Sequence, residues 1–281
     1  MISKLDHLIV AVNDLNEAES NYKKIFGVDP VWKGQHKELG TANVIFNFKN
    51  IYFELLSSNG SGLGADLVNS SISENGEGLI GQVFGTEDIN ESKKLLAEKG
   101  FSITEPSEGA GKSSMNNEIR KWKNIFLPPD LTRGIFSFII QHTHGSLPQV
   151  EEYKKSSISK LDHVVINTND PDGFINIYKN IFNIRLALDK VIEHWDTRIL
   201  FFRLNKTIIE VVEQNHKEAE PDKLWGLAWE VKSIKGAHER LAKEGVEITE
   251  IKQGIKEDTL VATIKSHTNN VPTLLIEHLK K

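Results

Sequence analysis

The chain repeats itself at a spacing of 156 residues, and that repeat limits the folds open to it. Residues 3–14 read SKLDHLIVAVND and residues 159–170 read SKLDHVVINTND, with seven of the twelve positions identical. The register runs without a gap for about fifty residues. It sets His7 on His163, Tyr22 on Tyr178, Ile25-Phe26 on Ile181-Phe182, Phe46 on Phe202 and Glu54 on Glu210. Any duplicated core keeps its apolar residues. A His and a Glu repeated on apolar strands need another reason, because an unpaired buried carboxylate is costly. They point to a metal site or an acid/base site.

A length of 281 residues suggests about two domains. Hydrophobic content of 39% and charged content of 26% are those of an ordinary globular chain. No apolar run approaches a membrane span, and Met1 leads directly into a strand-like segment without a signal-type stretch. The expectation is a cytoplasmic protein. The absence of cysteine excludes disulfides, Cys-zinc sites and Cys nucleophiles. A net charge of −5 gives no footprint for nucleic acid. The expected partner is a small molecule, with neither nucleic acid nor membrane, and homodimerisation is left open.

A finer period lies inside each half. Segment 5–14 alternates like a strand, and 15–26 has helical spacing, with Asp14 as N-cap and Ala18, Tyr22, Ile25 and Phe26 on one face. Strands are expected at 29–33, 41–48 and 51–56. A second unit begins at 79–86, with a helix at 89–99 and strands at Phe101–Thr104, Lys123–Leu127 and Gly134–Gln141. The stretch Glu105–Asn117 is rich in Gly, Ser and Asn and reads as a loop. The second half replays this order, with a helix at 234–244 and a last strand at Pro272–Leu279. The fold class is α+β: four βαβββ modules in two domains. Modules 1–57 and 79–144 form a domain over 1–146, and 147–157 is a linker. Modules 159–214 and 224–279 form a second domain over 158–281. Paired modules curl their sheets around a shared cleft and bury faces that either would expose alone.

Asp6-His7 opening a strand, Asn13-Asp14 before a helix, the Tyr22-x-x-Ile25-Phe26 helix end and the closing Tyr52-Phe53-Glu54-Leu55-Leu56 strand resemble the vicinal oxygen chelate superfamily. That superfamily includes glyoxalase I, extradiol dioxygenases, methylmalonyl-CoA epimerase and the bleomycin-resistance proteins. Gly40-Thr41-Ala42-Asn43 and Phe126-Leu127-Pro128-Pro129 resemble its glyoxalase-like branch. The resemblance implies a divalent metal (Zn, Fe, Mn, Co or Ni) held by a His from a module's first strand and a Glu from its last. In this chain those are His7 and Glu54, and His163 and Glu210. Imidazole and carboxylate suit any of these ions.

The second and fourth modules depart from the pattern, with Gly81 and Gly226 near the place of a first-strand His. Further ligands are then sought at His36 and Gln141 in the first domain, and at Glu277 and His194 in the second. Alternatively, modules one and three face each other and pool His7, Glu54, His163 and Glu210. Thr41, Asn43 and Arg133 are candidate substrate contacts, and Glu54 is the candidate catalytic group. His142 and His144, at a strand exit, read as exposed. Two functions follow. One is a divalent-metal-dependent lyase, isomerase or dioxygenase acting on a small oxygenated metabolite, with Glu54 as general base where the ligand set is incomplete. The other is a metal-free protein of the bleomycin-resistance kind that binds a drug or metabolite.

Overall fold

A computed structural model describes residues 1–214 and 221–279. The first domain contains β1 (Ile2–Ala11), α1 (Leu15–Phe26), β2 (Trp32–His36), β3 (Thr41–Asn47), β4 (Tyr52–Ser58), α2 (Leu63–Asn75), β5 (Gly78–Thr86), α3 (Ile89–Glu98), β6 (Ser107–Lys112), β7 (Ile119–Phe126), α4 (Pro129–Thr132) and β8 (Phe136–His144). The second contains β9 (Ile158–Thr168), α5 (Pro171–Phe174) continued by wider π turns over Ile175–Ile181, β10 (Arg185–Ile192), β11 (Thr197–Leu204), β12 (Thr207–Glu213), β13 (Lys223–Val231), α6 (Ile234–Lys243), β14 (Lys252–Gln253), β15 (Thr259–Ile264) and β16 (Thr273–His278).

Each half makes one eight-stranded sheet of the same topology. The orders are β2-β3-β4-β1-β5-β8-β7-β6 and β10-β11-β12-β9-β13-β16-β15-β14. Modules therefore pair in chain order. Modules one and three lie in different sheets, so the pooled set of His7, Glu54, His163 and Glu210 does not form.

The four module helices start on side-chain caps. Asp14 accepts from Asn16 and Glu17, Asp88 from Asn90 and Glu91, Asp170 from Gly173, and Ser233 from Gly236. Each cap stabilises its helix by about 1 kcal/mol. The helix-bearing faces of the two sheets share one core. Phe26 meets Trp229 edge-on at 5.0 Å, and Phe48 packs on Trp229 at 4.8 Å. The duplicated tyrosines belong to this contact. Tyr22 Oη donates to the Thr268 carbonyl at 2.8 Å, and Gln82 Nε2 donates to Tyr178 Oη at 2.6 Å. With helices packed between the sheets, the other face of each sheet is turned away from the partner domain.

Parts of the first domain differ from expectation. Phe101–Thr104 is not a strand, and β6 forms at Ser107–Lys112, inside the expected loop. Its glycines are close-approach residues: a Cβ on Gly109 would sit 2.3 Å from Trp122 Nε1. Helix α2 was not expected either. Its buried Ala65 and Val68 are set among Gly, Ser and Asn, which weakens the periodic signal.

Candidate functional site

Strict strand alternation would send Asp6 and His7 to opposite faces. A β-bulge prevents this. Leu5 pairs with Phe84 and His7 with Val83, leaving Asp6 as the extra residue. The second domain has the same bulge: Leu161 pairs with Trp229 and His163 with Ala228, leaving Asp162. In both places the aspartate reaches the imidazole beside it. Asp6 Oδ1 lies 2.9 Å from His7 Nδ1, and Asp162 Oδ1 lies 2.9 Å from His163 Nδ1.

A second histidine completes each cluster. His142 Nε2 lies 3.0 Å from Asp6 Oδ1, and His278 Nε2 lies 2.7 Å from Asp162 Oδ2. His142 is thus not a free strand-exit residue; it anchors Asp6. Burial by itself would raise the Asp6 carboxyl, but the hydrogen bonds from His142 and His7 outweigh it and hold Asp6 well below the usual carboxylate range. Ionised Asp6 accepts a hydrogen bond from His7 Nδ1–H and so fixes which ring nitrogen faces forward. That nitrogen, Nε2, lies 3.5 Å from Glu54 Oε2. The corresponding His163–Glu210 distance is 3.2 Å. Glu54 is held from its other oxygen, where Asn43 Nδ2 donates to Oε1 at 2.6 Å.

His7 and Glu54 line a cavity of about 440 Å³ whose wall is otherwise largely apolar, including Ile9, Trp122, Phe126, Phe136 and Phe138. Tyr52, the register partner of His7 on β4, stacks on its ring at 4.2 Å and 15°. Leu63, Gly64 and Leu67 of α2 close one side, with Leu63 and Phe126 exposed at the rim.

The remaining expected residues divide. Thr41 and His36 line this cavity and bond each other, His36 Nδ1 to Thr41 Oγ1 at 3.0 Å. Asn43 works through Glu54. Arg133 lies elsewhere: it pairs with Asp170 at 3.0 Å and with Asp222, tying the two domains together. Gln141 and Glu277 point to the helix side. Gln141 Oε1 accepts from the Ile89 amide, and Glu277 Oε2 accepts from the Ile234 amide. They cap α3 and α6 and are not cleft ligands, because alternation on β8 sends Ile140 and His142, not Gln141, to the cleft side. The side chain of His194 lies outside the described portion.

Arg120 is the cleft residue that the sequence did not disclose. On β7, Arg120, Trp122, Asn124 and Phe126 alternate and all four line the cavity. That period was available in the sequence, but a strand begun at Lys123 leaves Arg120 and Trp122 outside it.

Gly81 shows why the first strand of the second module gives this cleft no His. A Cβ there would meet Phe136 Cδ1 at 2.8 Å, so Phe136 fills the space. At Gly226 a Cβ would meet the Pro272 carbonyl oxygen at 2.7 Å. Among the described residues, one group of three His, Asp or Glu brings donor atoms within 4.8 Å of one another, and it is Asp162, Glu230 and His278. Its members are also engaged with protein: Glu230 with Lys160 at 2.7 Å, and Asp162 with both His163 and His278.

Residues 5–159 match the family model of the glyoxalase-like domain. The chain belongs to the glyoxalase-like family of the vicinal oxygen chelate superfamily. Residues 162–263 match the model of the glyoxalase/bleomycin resistance protein/dioxygenase superfamily, so both halves of this glyoxalase-like protein carry the fold. No curated protein matches the chain. A mutant 4-hydroxymandelate synthase from Streptomyces coelicolor is similar over 99% of this chain and 93% of its own, at 12% identity and a TM-score of 0.71. A Mn(II)-bound glyoxalase from Novosphingobium aromaticivorans is similar over 99% and 83%, at 13% identity and a TM-score of 0.65. A hypothetical protein from Staphylococcus aureus is similar over 98% and 99%, at 14% identity and a TM-score of 0.66. At these identities the likeness is one of fold. No helix among the described residues is long and apolar enough to cross a membrane.

Proposed function

We propose that the first-domain cleft is the working site and that it moves a proton next to a carbonyl on a small ligand with a flat apolar body. One observation carries this reading: His7 and Glu54 face each other at 3.5 Å in an otherwise largely apolar cavity, with Asp6 and Asn43 fixing them from behind.

The metal that the family resemblance implies does not fit well. His7 Nε2 and Glu54 Oε2 are close enough to share an ion, since each would bind at about 2.0–2.2 Å. A two-His, one-carboxylate set needs another donor, and Phe136 occupies the space where a side chain at Gly81 would be. His36 bonds Thr41, and among the described residues it does not join His7 and Glu54 in a group of three donors within 4.8 Å of one another. Dioxygenase chemistry is therefore the least supported of the family's reactions.

A proton is what His7 Nε2 and Glu54 Oε2 can share. With Nδ1–H committed to Asp6, both facing atoms are acceptors unless one proton lies between them. Glu54 can then take a proton from carbon, and His7 can return one to a developing oxyanion. The surrounding apolar wall strengthens both interactions by excluding water. This is isomerase or lyase chemistry. A pocket that only sequesters a ligand is the second reading, favoured by the aromatic wall.

The test is carbon–hydrogen exchange in deuterium oxide, followed by proton NMR over a panel of aryl ketones and 2-oxo acids. Exchange above the uncatalysed rate that disappears in Glu54→Gln supports proton transfer. Binding without exchange in the wild type moves the assignment to a sequestering protein.

A further inference from the structure

We propose that Arg120 is an anion subsite of the first cleft, and that the ligand is a small carboxylic acid whose flat apolar body fills the cavity. This rests on reading the cleft as a ligand site and deepens that reading.

Arg120 is 5% exposed. Its guanidinium carbon lies 5.5 Å from the Trp32 ring and 5.3 Å from the Tyr52 ring. Nη2 meets His142 Nδ1 at 3.4 Å, and Nε is buried with no hydrogen-bond partner. Among the described residues no carboxylate pairs with it. The two acids closest to the cleft floor are committed: Asp6 to His7, His142 and Lys4, and Glu54 to His7 and Asn43. A guanidinium carries five donors, and leaving such a charge buried and unpaired is expensive. Aromatic faces offset only part of that cost.

The other buried or half-buried arginines are treated differently. Arg133 has Asp170 and Asp222, Arg198 has Asp172 and Asp189, and Arg240 donates to the Lys24 and Ile25 carbonyls at the end of α1. Arg120 alone among these lines a cavity and has neither a carboxylate nor a carbonyl partner among the described residues. It also borders a neighbouring polar groove of about 320 Å³ that carries Lys4, Lys49 and Lys206. Lysines outnumber the one acid of that groove, Asp6, which Lys4 already pairs, and a carboxylate brought by a ligand would meet the guanidinium fork in the bidentate geometry that arginine favours. With the acid group there, the apolar body lies among Trp122, Phe126, Phe136 and Phe138, with Glu54 in the same cavity. Strand β15, the counterpart of β7, reads TLVATI and has no arginine, so the feature belongs to the first domain alone.

The experiment titrates the full chain with phenylacetate and with phenylacetamide, which has nearly the same shape and no charge. Fluorescence of the tryptophans, Trp122 in the cavity wall among them, reports binding. The wild type is expected to prefer phenylacetate by about tenfold or more, Arg120→Met to bind both alike, and Arg120→Lys to keep part of the preference. Equal affinity in the wild type overturns the anion subsite and leaves the cleft reading standing. A preference that survives in Arg120→Met also overturns the subsite. Binding of neither probe overturns the subsite together with the cleft reading. The wild-type comparison needs no variant, so it decides even if Arg120→Met fails to fold.

Discussion

The two domains carry the same Asp–His–Glu arrangement, yet they set it in different surroundings. The His7 and Glu54 side chains are 3% and 9% exposed, whereas those of His163 and Glu210 are 19% and 16% exposed. Around the first pair stand Tyr52 and Asn43. At the equivalent positions of the repeat, 208 and 199, stand Ile208 and Ile199, which can neither hold the Glu nor extend an aromatic wall with a polar tip. The first cleft is closed on one side by α2, a helix of 13 residues. Only nine residues, 214–222, separate β12 from β13 in the second domain. The second domain also has an acid that the first lacks. Glu230 stands where the first domain has Gly85, and it draws Lys160 to itself, while Lys4 pairs with Asp6. A duplicated triad therefore does not make a duplicated site. The bulge and the Asp–His pair recur in modules one and three, and the cavity described above is lined by first-domain residues.

The comparison is broken most sharply by two equivalent substitutions. Glu54→Gln is expected to lower exchange activity by about 10²–10⁴-fold, the usual contribution of a general base, while Glu210→Gln leaves it within about twofold. Equal losses in NMR exchange assays would show that the second cleft also works. A smaller effect is expected on stability. Asp6→Ala removes the partner of buried His7 and of part-buried His142 and is expected to cost about 3 kcal/mol in urea unfolding. Asp162 is less buried than Asp6, and Asp162→Ala is expected to cost about half as much. Gly81→Ala, which drives a Cβ against Phe136, is expected to cost about 1–3 kcal/mol by the same assay. A neutral result would mean that Phe136 yields and that the second ligand position is open.

The smallest effect is a titration. Burial lowers the His163 pKa, but the Asp162 hydrogen bond and the Glu210 and Asp162 charges outweigh it, so the imidazole titrates above its ordinary value. A raised folded pKa means that its stabilisation is fully present below about pH 6.5 and is lost as pH rises through the folded value. Proton NMR of the ring hydrogens should place its midpoint above 6.5. A midpoint below 6.5 would mean that desolvation wins.

The repeat made much of the fold legible. Apolar alternation and the Asp caps locate β1, α1 and their counterparts, since those signals depend only on neighbours in sequence. The register of His7 and Glu54 is legible for the same reason. Long-range geometry decided the rest. Nothing local tells Gln141 that its face carries the start of α3, or Arg133 that Asp170 and Asp222 stand across the domain boundary. Gly109 and Gly111 read as loop residues because the ring of Trp122 that requires them lies on another strand. The bulge at Asp6, which creates the Asp–His pair, depends on a register shift against β5.

The most direct measurement is the metal content of untagged protein by elemental mass spectrometry, taken together with exchange activity before and after chelation. A donor set of His7 and Glu54 without a third protein ligand predicts well under one metal per chain and exchange that chelation leaves intact. About one metal per chain, lost in His7→Ala and carrying the activity away with it, would contradict a metal-free site.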